Sequence, residues 1–324
     1  MDGYDQLTLV DLETREAWLR ERKLGIGASE AASLVTVDGK PVSNWGSPYS
    51  VFVDKCTDSK PDEPTERQLV WGTILEPGIR ATVERRLALP VDYPGPFAIC
   101  WKDASEDQPR FQFASLDGIL KEPNELVEAC FDAYVDPVVS GPGVVELKSD
   151  ARPRWADPPL NYICQVQHQL SVTGFGWGLL CVFFSISQEI VIYGILRDED
   201  MIRKINRTEY KFWRDHVLTK VPPKPDGTQA TRAAIAEYYD EPNDEIVDMP
   251  ESLQRLVTLR ADIKGVSKGI DDEIVEIDNQ IKAALGNASI GIFPDGQRVT
   301  WKQQSRAEHV VAASTFRVLR FAKT

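Results

Sequence analysis

Cysteine and histidine are scarce in this chain of 324 residues, which has five of one and three of the other. Cys56, Cys100, Cys130, Cys164 and Cys181 are odd in number, and no two are spaced Cys-x-x-Cys. That argues against a disulfide framework. With only His168, His216 and His309 to help, it also argues against a cysteine/histidine zinc centre and an iron–sulfur cluster. The cysteines read instead as small apolar residues in a reducing compartment. No run approaches the 18 or so apolar residues of a membrane-spanning helix. The polar, acidic first 20 residues lack the basic stretch and apolar run of a signal peptide. A cytoplasmic protein is expected. Positive charge is also short: 37 Lys and Arg against 50 Asp and Glu, for a net charge of −13. This weighs against a nucleic-acid partner, although phosphate contact needs only a local basic strip.

The remaining composition is that of an ordinary globular protein, 42% apolar and 27% charged. Helical periodicity opens the chain. Residues 12–23 form a charged helix pattern with Trp18 and Leu19 on one side. A glycine-containing turn then leads into a second helix with Ser29 as its N-cap. Ser47-Pro48 supplies an N-cap and a first-turn proline for a third helix. After a Pro/Asp/Glu loop at 58–65, residues 66–88 read as a long helix with Leu69, Val70, Ile74, Ile79, Val83 and Leu87 on one stripe. The period then changes to two. Residues 97–101, 111–120 and 143–149 read as strands, with a loop or partly ordered insertion at 121–142. A helix at 160–173, strands at 177–186 and 189–196 and an amphipathic helix at 198–218 follow. The fold class is α/β or α+β, a mixed sheet flanked by helices.

The expected domains are 1–220, a linker at 221–245 containing a short acidic helix, and an extension at 246–324. In the extension, Leu256, Leu259, Ile263, Val266, Ile270, Ile274, Ile277 and Ile281 step by threes and fours as one apolar seam. A coiled coil and a helix laid on the core both fit that seam. Gly265 and Gly269 each weaken a free-standing helix by about 1 kcal/mol, which favours packing in cis. A hairpin turning at Pro294-Asp295-Gly296 and a last strand at 316–321 close the chain.

The residues with chemistry in them gather at strand ends. An apolar strand ends in Asp117-Gly118. In Val144-Val145-Glu146-Leu147-Lys148, alternation puts Glu146 and Lys148 on one face and Val145 and Leu147 on the other. Taken alone, Glu-x-Lys is most often an exposed ion pair on an edge strand and worth little. Joined to Asp117 and to Glu76 on the long helix, it offers three carboxylates and an ammonium. Such carboxylates suit hard divalent cations, and a pair of these ions serves phosphodiester cleavage. The lysine can orient water or take its proton. On helix 160–173, Tyr162, Gln165 and Gln169 share one face.

In this order the blocks Gly25-Ile26-Gly27-Ala28-Ser29-Glu30-Ala31-Ala32, Ser47-Pro48-Tyr49, Trp71-Gly72 with Glu76-Pro77, Ala114-Ser115-Leu116-Asp117-Gly118, Glu146-Leu147-Lys148 and Tyr162 through Gln169 resemble the YqaJ-type viral recombinase family. These are relatives of phage lambda exonuclease in the PD-(D/E)XK nuclease superfamily. The resemblance runs to about residue 220 and, more loosely, to Trp301-Lys302. It implies a 5′-to-3′ exonuclease on linear duplex DNA, leaving 3′ single strands for phage-type recombination. It also implies Mg²⁺, two ions in all, with Mn²⁺ as a substitute. By the same resemblance Glu76, Asp117, Glu146 and the Leu147 carbonyl are metal ligands, Lys148 is the catalytic lysine and Gln165 the active-site glutamine. Arg22 and Ser29 match a 5′-phosphate pair, a role that a helix N-terminus beside an arginine also supports. Tyr162 and Gln169 are counted with them as DNA contacts. The implied partners are duplex DNA ends, a single-strand annealing protein and further copies of the chain in a trimer, with no membrane; a phage-encoded member works in the host cytoplasm.

Three departures stand out. Leu116 replaces a proline, Ser149-Asp150 follows the lysine in place of Cys-Pro or Thr-Pro, and the long 117–146 segment adds Glu122, Glu125, Glu128 and Asp132 as competing acids. Two other functions stay open: an endonuclease or structure-specific nuclease of the same fold, and a non-catalytic scaffold that binds DNA ends.

Overall fold

The protein is described from a computed structural model, which covers residues 7–43, 45–57, 66–104, 110–131, 139–240, 246, 248–285, 288–292, 294–295 and 297–302; for 66–73 it describes the backbone alone. The loop at 58–65, the strand expected at 316–321, Asp132 and the side chains of Leu69 and Val70 lie outside this description. The chain divides into two compact units, Met1–Asp240 and Glu241–Thr324.

The first unit begins with β1 (Thr8–Asp11), α1 (Arg15–Arg22), the short β2 (Ile26–Gly27) and α2 (Ala28–Leu34). The N-cap of α2 is Gly27, not Ser29. The Glu30 carboxylate reaches back to accept the Gly27 N–H at 2.7 Å, so the acid rather than the serine satisfies this end of the helix. A two-residue ribbon, β3 (Thr36–Val37) and β4 (Lys40–Pro41), leads to α3 (Pro48–Cys56). There Ser47 and Ser50 cap the helix reciprocally and Pro48 begins it, as its sequence indicates. Next comes α4 (Glu66–Leu87). Ile79, Val83 and Leu87 are buried, but Ile74, expected on the same stripe, is exposed.

Two sheets follow. One has the order β1–β5–β6–β2, with β5 (Ala98–Trp101) and β6 (Gln112–Ala114). The other is β10–β9–β8–β7, with β7 (Gly118–Leu120), β8 (Gly143–Asp150), β9 (Trp177–Phe184) and β10 (Glu189–Leu196). The single strand expected over 111–120 is therefore two strands in two sheets, and the chain crosses between them at Ser115-Leu116-Asp117. The short α5 (Glu125–Glu128) lies between β7 and β8. β8 pairs antiparallel with β7 and parallel with β9, through α6 (Leu160–Thr173) as the crossover. A left-handed Gly174 ends α6.

α7 (Glu199–Phe212) closes in a π-helical turn over Trp213–Val217. α8 (Gln229–Tyr238), the helix of the expected linker, belongs to the first unit: its Thr231 hydroxyl bonds that of Ser47 at 2.8 Å. The core of this unit is built on both faces of β8 and β9, with Val144, Leu180 and Val182 on one side and Val145, Leu147 and Leu179 on the other. The mixed α/β architecture is the one expected.

The second unit contains α9 (Glu251–Leu285) and a ribbon of β11 (Ile290–Ile292) and β12 (Arg298–Thr300). No residue of α9 is buried.

Candidate active site

Asp117 stands where β7 and β8 part. Their ladder ends at Gly118 opposite Val145, so β8 continues from Glu146 with that edge open. Asp117 fills the gap by accepting the Leu147 N–H at 2.8 Å. In an extended strand the N–H and C=O of one residue point to the same side, so the Leu147 carbonyl faces the same open edge. Gly118 is required here by close approach: a Cβ on it would lie 2.2 Å from Val91 Cγ1. The Asp-Gly pair thus has one residue for the gap and one that lets the chain pass.

Glu146 is buried, with 2% of its side chain exposed, so a solvent-exposed ion pair does not describe it. Its two oxygens are held separately. Gln165 donates to Oε1 at 2.6 Å, Gln169 donates to Oε2 at 2.5 Å, and the Lys148 ammonium pairs with Oε1 at 2.5 Å. Gln165 and Gln169 are one helical turn apart on α6, so one face of that helix delivers both. Gln169 is fully buried and its Oε1 has no partner. Asp150, next but one after Lys148, turns away to Arg152.

Negative charge is crowded here. Burial first, then Glu146, raises the Asp117 pKa to about 7, while Lys148 and the Leu147 N–H pull it back. Burial raises the Glu76 carboxyl as well; Lys148 and Arg80 oppose that and Glu146 adds to it, which places Glu76 in the same electrostatic cluster. Burial presses the Lys148 ammonium to give up its proton, but Glu146 and Asp117 outweigh it and hold its pKa above the lysine range. Pro77 has no N–H, so α4 loses one of its backbone bonds directly after Glu76.

Among the described residues, no group of three or more His, Cys, Asp or Glu side chains is arranged to hold a metal ion in these rotamers. Chemically the donors nonetheless fit one. Asp117, Glu146 and the Leu147 carbonyl offer only hard oxygens, and burial together with Glu146 raises the Asp117 pKa.

A cleft of about 480 Å³ opens beside Lys148, Tyr162 and Gln165; Ser29, Ser33 and Trp45 stand on its wall. Lys148 Nζ lies 6.0 Å from the Tyr162 ring centre, and Trp155 stacks on that ring at 5.2 Å. Arg22 does not line the cleft. Its guanidinium lies over Trp18 at 4.5 Å and faces Phe113, and its carbonyl accepts the buried Lys55 ammonium. Ser29 stands on the cleft wall, and Arg22 lies with the Trp18 and Phe113 rings. Of the competing acids, Glu122 holds the Gly141 N–H, and Glu125 and Glu128 are exposed on α5.

Two features of the site escape the sequence reading. Trp45, 78% exposed, stands at the cleft. Behind α6, fully buried His168 bridges fully buried Glu209 at 2.9 Å and the Phe113 carbonyl at 3.0 Å, and Gln112 donates to the same Glu209. A signal for this network exists: Glu209 occupies the apolar stripe of α7 made by Ile202, Ile205 and Phe212.

Comparison with known proteins agrees with the resemblance. Residues 17–176 match the model of the YqaJ-like viral recombinase domain. It is 26% identical over 298 residues to the uncharacterized protein YqaJ of Bacillus subtilis, covering 89% of this chain and 83% of that one. Among solved structures it is similar to an alkaline exonuclease from Laribacter hongkongensis, with a TM-score of 0.45 and 18% identity, covering 64% of this chain and 94% of that one. A phage-related exonuclease from Haemophilus somnus gives a TM-score of 0.39 and 12% identity over 62% and 98%.

Proposed function

We infer that this protein is a divalent-metal-dependent exonuclease that digests linear duplex DNA from its ends. The observation that carries the reading is the junction of Asp117, Glu146 and Lys148 at the open edge of β8. A carboxylate pair with a lysine, at the rim of a cleft, is an arrangement suited to hydrolysing a phosphodiester. The exonuclease names of the similar structures point the same way.

Asp117, Glu146 and the Leu147 carbonyl would hold the ion, with Glu76 at the periphery; Mg²⁺ suits this donor set and Mn²⁺ could replace it. Once bound, such a cation supplies positive charge against the phosphate and acidifies water. The chain's own groups do the rest. Gln165 and Gln169 fix both oxygens of Glu146. Lys148, charged and half-turned to the cleft, is placed to orient the attacking water and to balance charge on the phosphate. Trp45 and Tyr162 present ring faces on which unpaired bases could stack. Ser29, exposed in the first turn of α2, would meet the terminal phosphate. Arg22 would join it through the N–H groups in the plane of its guanidinium, which stacking on the Trp18 ring leaves available.

The family supports the finer reading of 5′-to-3′ polarity, 3′ single-stranded products and hand-over to a single-strand annealing protein. The test is a duplex labelled at either end, with or without a 5′-phosphate, beside a closed circle. Release of the 5′ label first, faster with the phosphate and absent on the circle, supports the reading. Cutting of the circle makes the protein an endonuclease, and loss of the 3′ label first reverses the polarity.

A further inference from the structure

The apolar seam of α9 is symmetric about Ile270. Apolar residues stand at 270 ± 4 (Val266 and Ile274), ± 7 (Ile263 and Ile277), ± 11 (Leu259 and Ile281) and ± 14 (Leu256 and Ala284). The spacing outward from Ile270 is four, three, four, three in both directions. A plain heptad seam alternates four and three throughout. Here two fours meet at Ile270, a stutter that locally relaxes the supercoil. A helix with such a seam, turned end for end, presents the same pattern to itself. An antiparallel copy centred on Ile270 therefore sets Val266 against Ile274, Ile263 against Ile277, Leu259 against Ile281 and Leu256 against Ala284, twice each. Every layer is apolar.

Three further observations favour this occupant and this direction. The seam is uncovered: from Leu256 to Ile277 its side chains are between 52% and 66% exposed, and α9 buries no residue at all. Its charge is split. Residues 251–269 have four basic and two acidic side chains, whereas residues 271–285 have one basic and five acidic ones. Antiparallel pairing lays the basic half on the acidic half, and parallel pairing lays like on like. Last, an apolar cleft of about 310 Å³ lies between the C-terminal turns of α9 and the β11–β12 ribbon, walled by Ile281, Ala284, Leu285, Ile292 and Val299. In the antiparallel arrangement the partner's Leu256 arrives opposite Ala284, at that cleft, with its Leu253 one turn beyond.

We propose that α9 is the chain's self-association surface: two copies pair antiparallel along it, with Ile270 on the two-fold axis and Leu256 of each seated in the other's ribbon cleft. A C2 contact of this kind is self-complementary and closes on itself. Gly265 and Gly269 fall beside the seam, where an added Cβ meets nothing within 4 Å, so neither interrupts the contact.

The proposal is independent of the nuclease reading and is tested on the full chain. Sedimentation equilibrium at micromolar concentration should give a mass containing paired chains, and Ile270→Glu, which sets two like charges on the axis, should halve it. Because residues 241–324 contain no cysteine, engineered thiols report direction. Chains with Leu259→Cys mixed with chains carrying Ile281→Cys should form a mixed disulfide under mild oxidation, while Leu259→Cys alone should not link to itself. A monomeric wild type, a mass unchanged by Ile270→Glu, self-linking of Leu259→Cys, or no mixed disulfide would each overturn it.

Discussion

The Asp117 carboxylate accepts the N–H of Leu147, the residue between Glu146 and Lys148. One hydrogen bond thus fixes an acid from the crossing between the two sheets against the strand that holds the other acid and the lysine. The first prediction follows from the charge this brings together. With burial and then Glu146 raising the Asp117 pKa to about 7, the folded, metal-free protein keeps a proton that the unfolded chain has lost. Its stability therefore falls as pH rises from about 4 towards 7 and is lowest above that. Asp117→Asn, which retains an acceptor for the Leu147 N–H, should stabilise the metal-free protein at pH 8 by about 1–2 kcal/mol, allowing for partial exposure of the site. The gain should vanish near pH 4. Thermal melts at both pH values check it, and a variant less stable than wild type at pH 8 would refute it.

Gln169 is the more deeply set of the two amides on Glu146. Gln169→Ala removes a donor from a buried carboxylate and should cost about 2 kcal/mol; Gln165→Ala, at the cleft, should cost about 1 kcal/mol. Both should slow cleavage. Urea melts rank the two, and equal costs would mean that burial does not separate them.

His168 and Glu209 form a buried pair linking α6 to α7. Glu209→Ala or His168→Ala should each cost about 3–5 kcal/mol by leaving the other partner uncompensated. The double variant should cost much less than the sum. Additive losses in a double-mutant cycle would show that the two do not act together.

Trp45 and Tyr162 offer their rings at the cleft. Trp45→Ala should weaken binding of single-stranded ends by about 1–3 kcal/mol with little effect on the melting temperature, because the indole is largely exposed. Tyr162→Ala should weaken binding and also stability, because that ring packs on Trp155. Anisotropy titrations in Ca²⁺, beside melts, separate the two effects.

Much of this was legible in the sequence because local rules decided it. Ser47-Pro48 capped a helix, residues 160–173 kept a helical period, and alternation placed Glu146 and Lys148 on one face. The failures have physical causes. Residues 111–120 alternate as one strand, yet the chain leaves one sheet and enters another at Ser115-Leu116-Asp117, a change set by partners distant in sequence. Ser29 resembles an N-cap, but Glu30 reaches back to Gly27 and takes that place. Of the aromatic neighbours of Arg22, Trp18 is on the same helix, but Phe113 lies far from it in the sequence and on another element, so that contact was not legible. The place of Trp45 at the cleft was invisible because an exposed aromatic has no period to announce it.

The most direct test of the central claim is release of acid-soluble nucleotides from linear duplex DNA in Mg²⁺ by wild type and by Lys148→Ala. The account predicts release by the wild type that EDTA abolishes, and a loss of about 10²-fold or more in the variant with DNA binding retained. Equal release by the two proteins would contradict it, as would no release by the wild type in either Mg²⁺ or Mn²⁺.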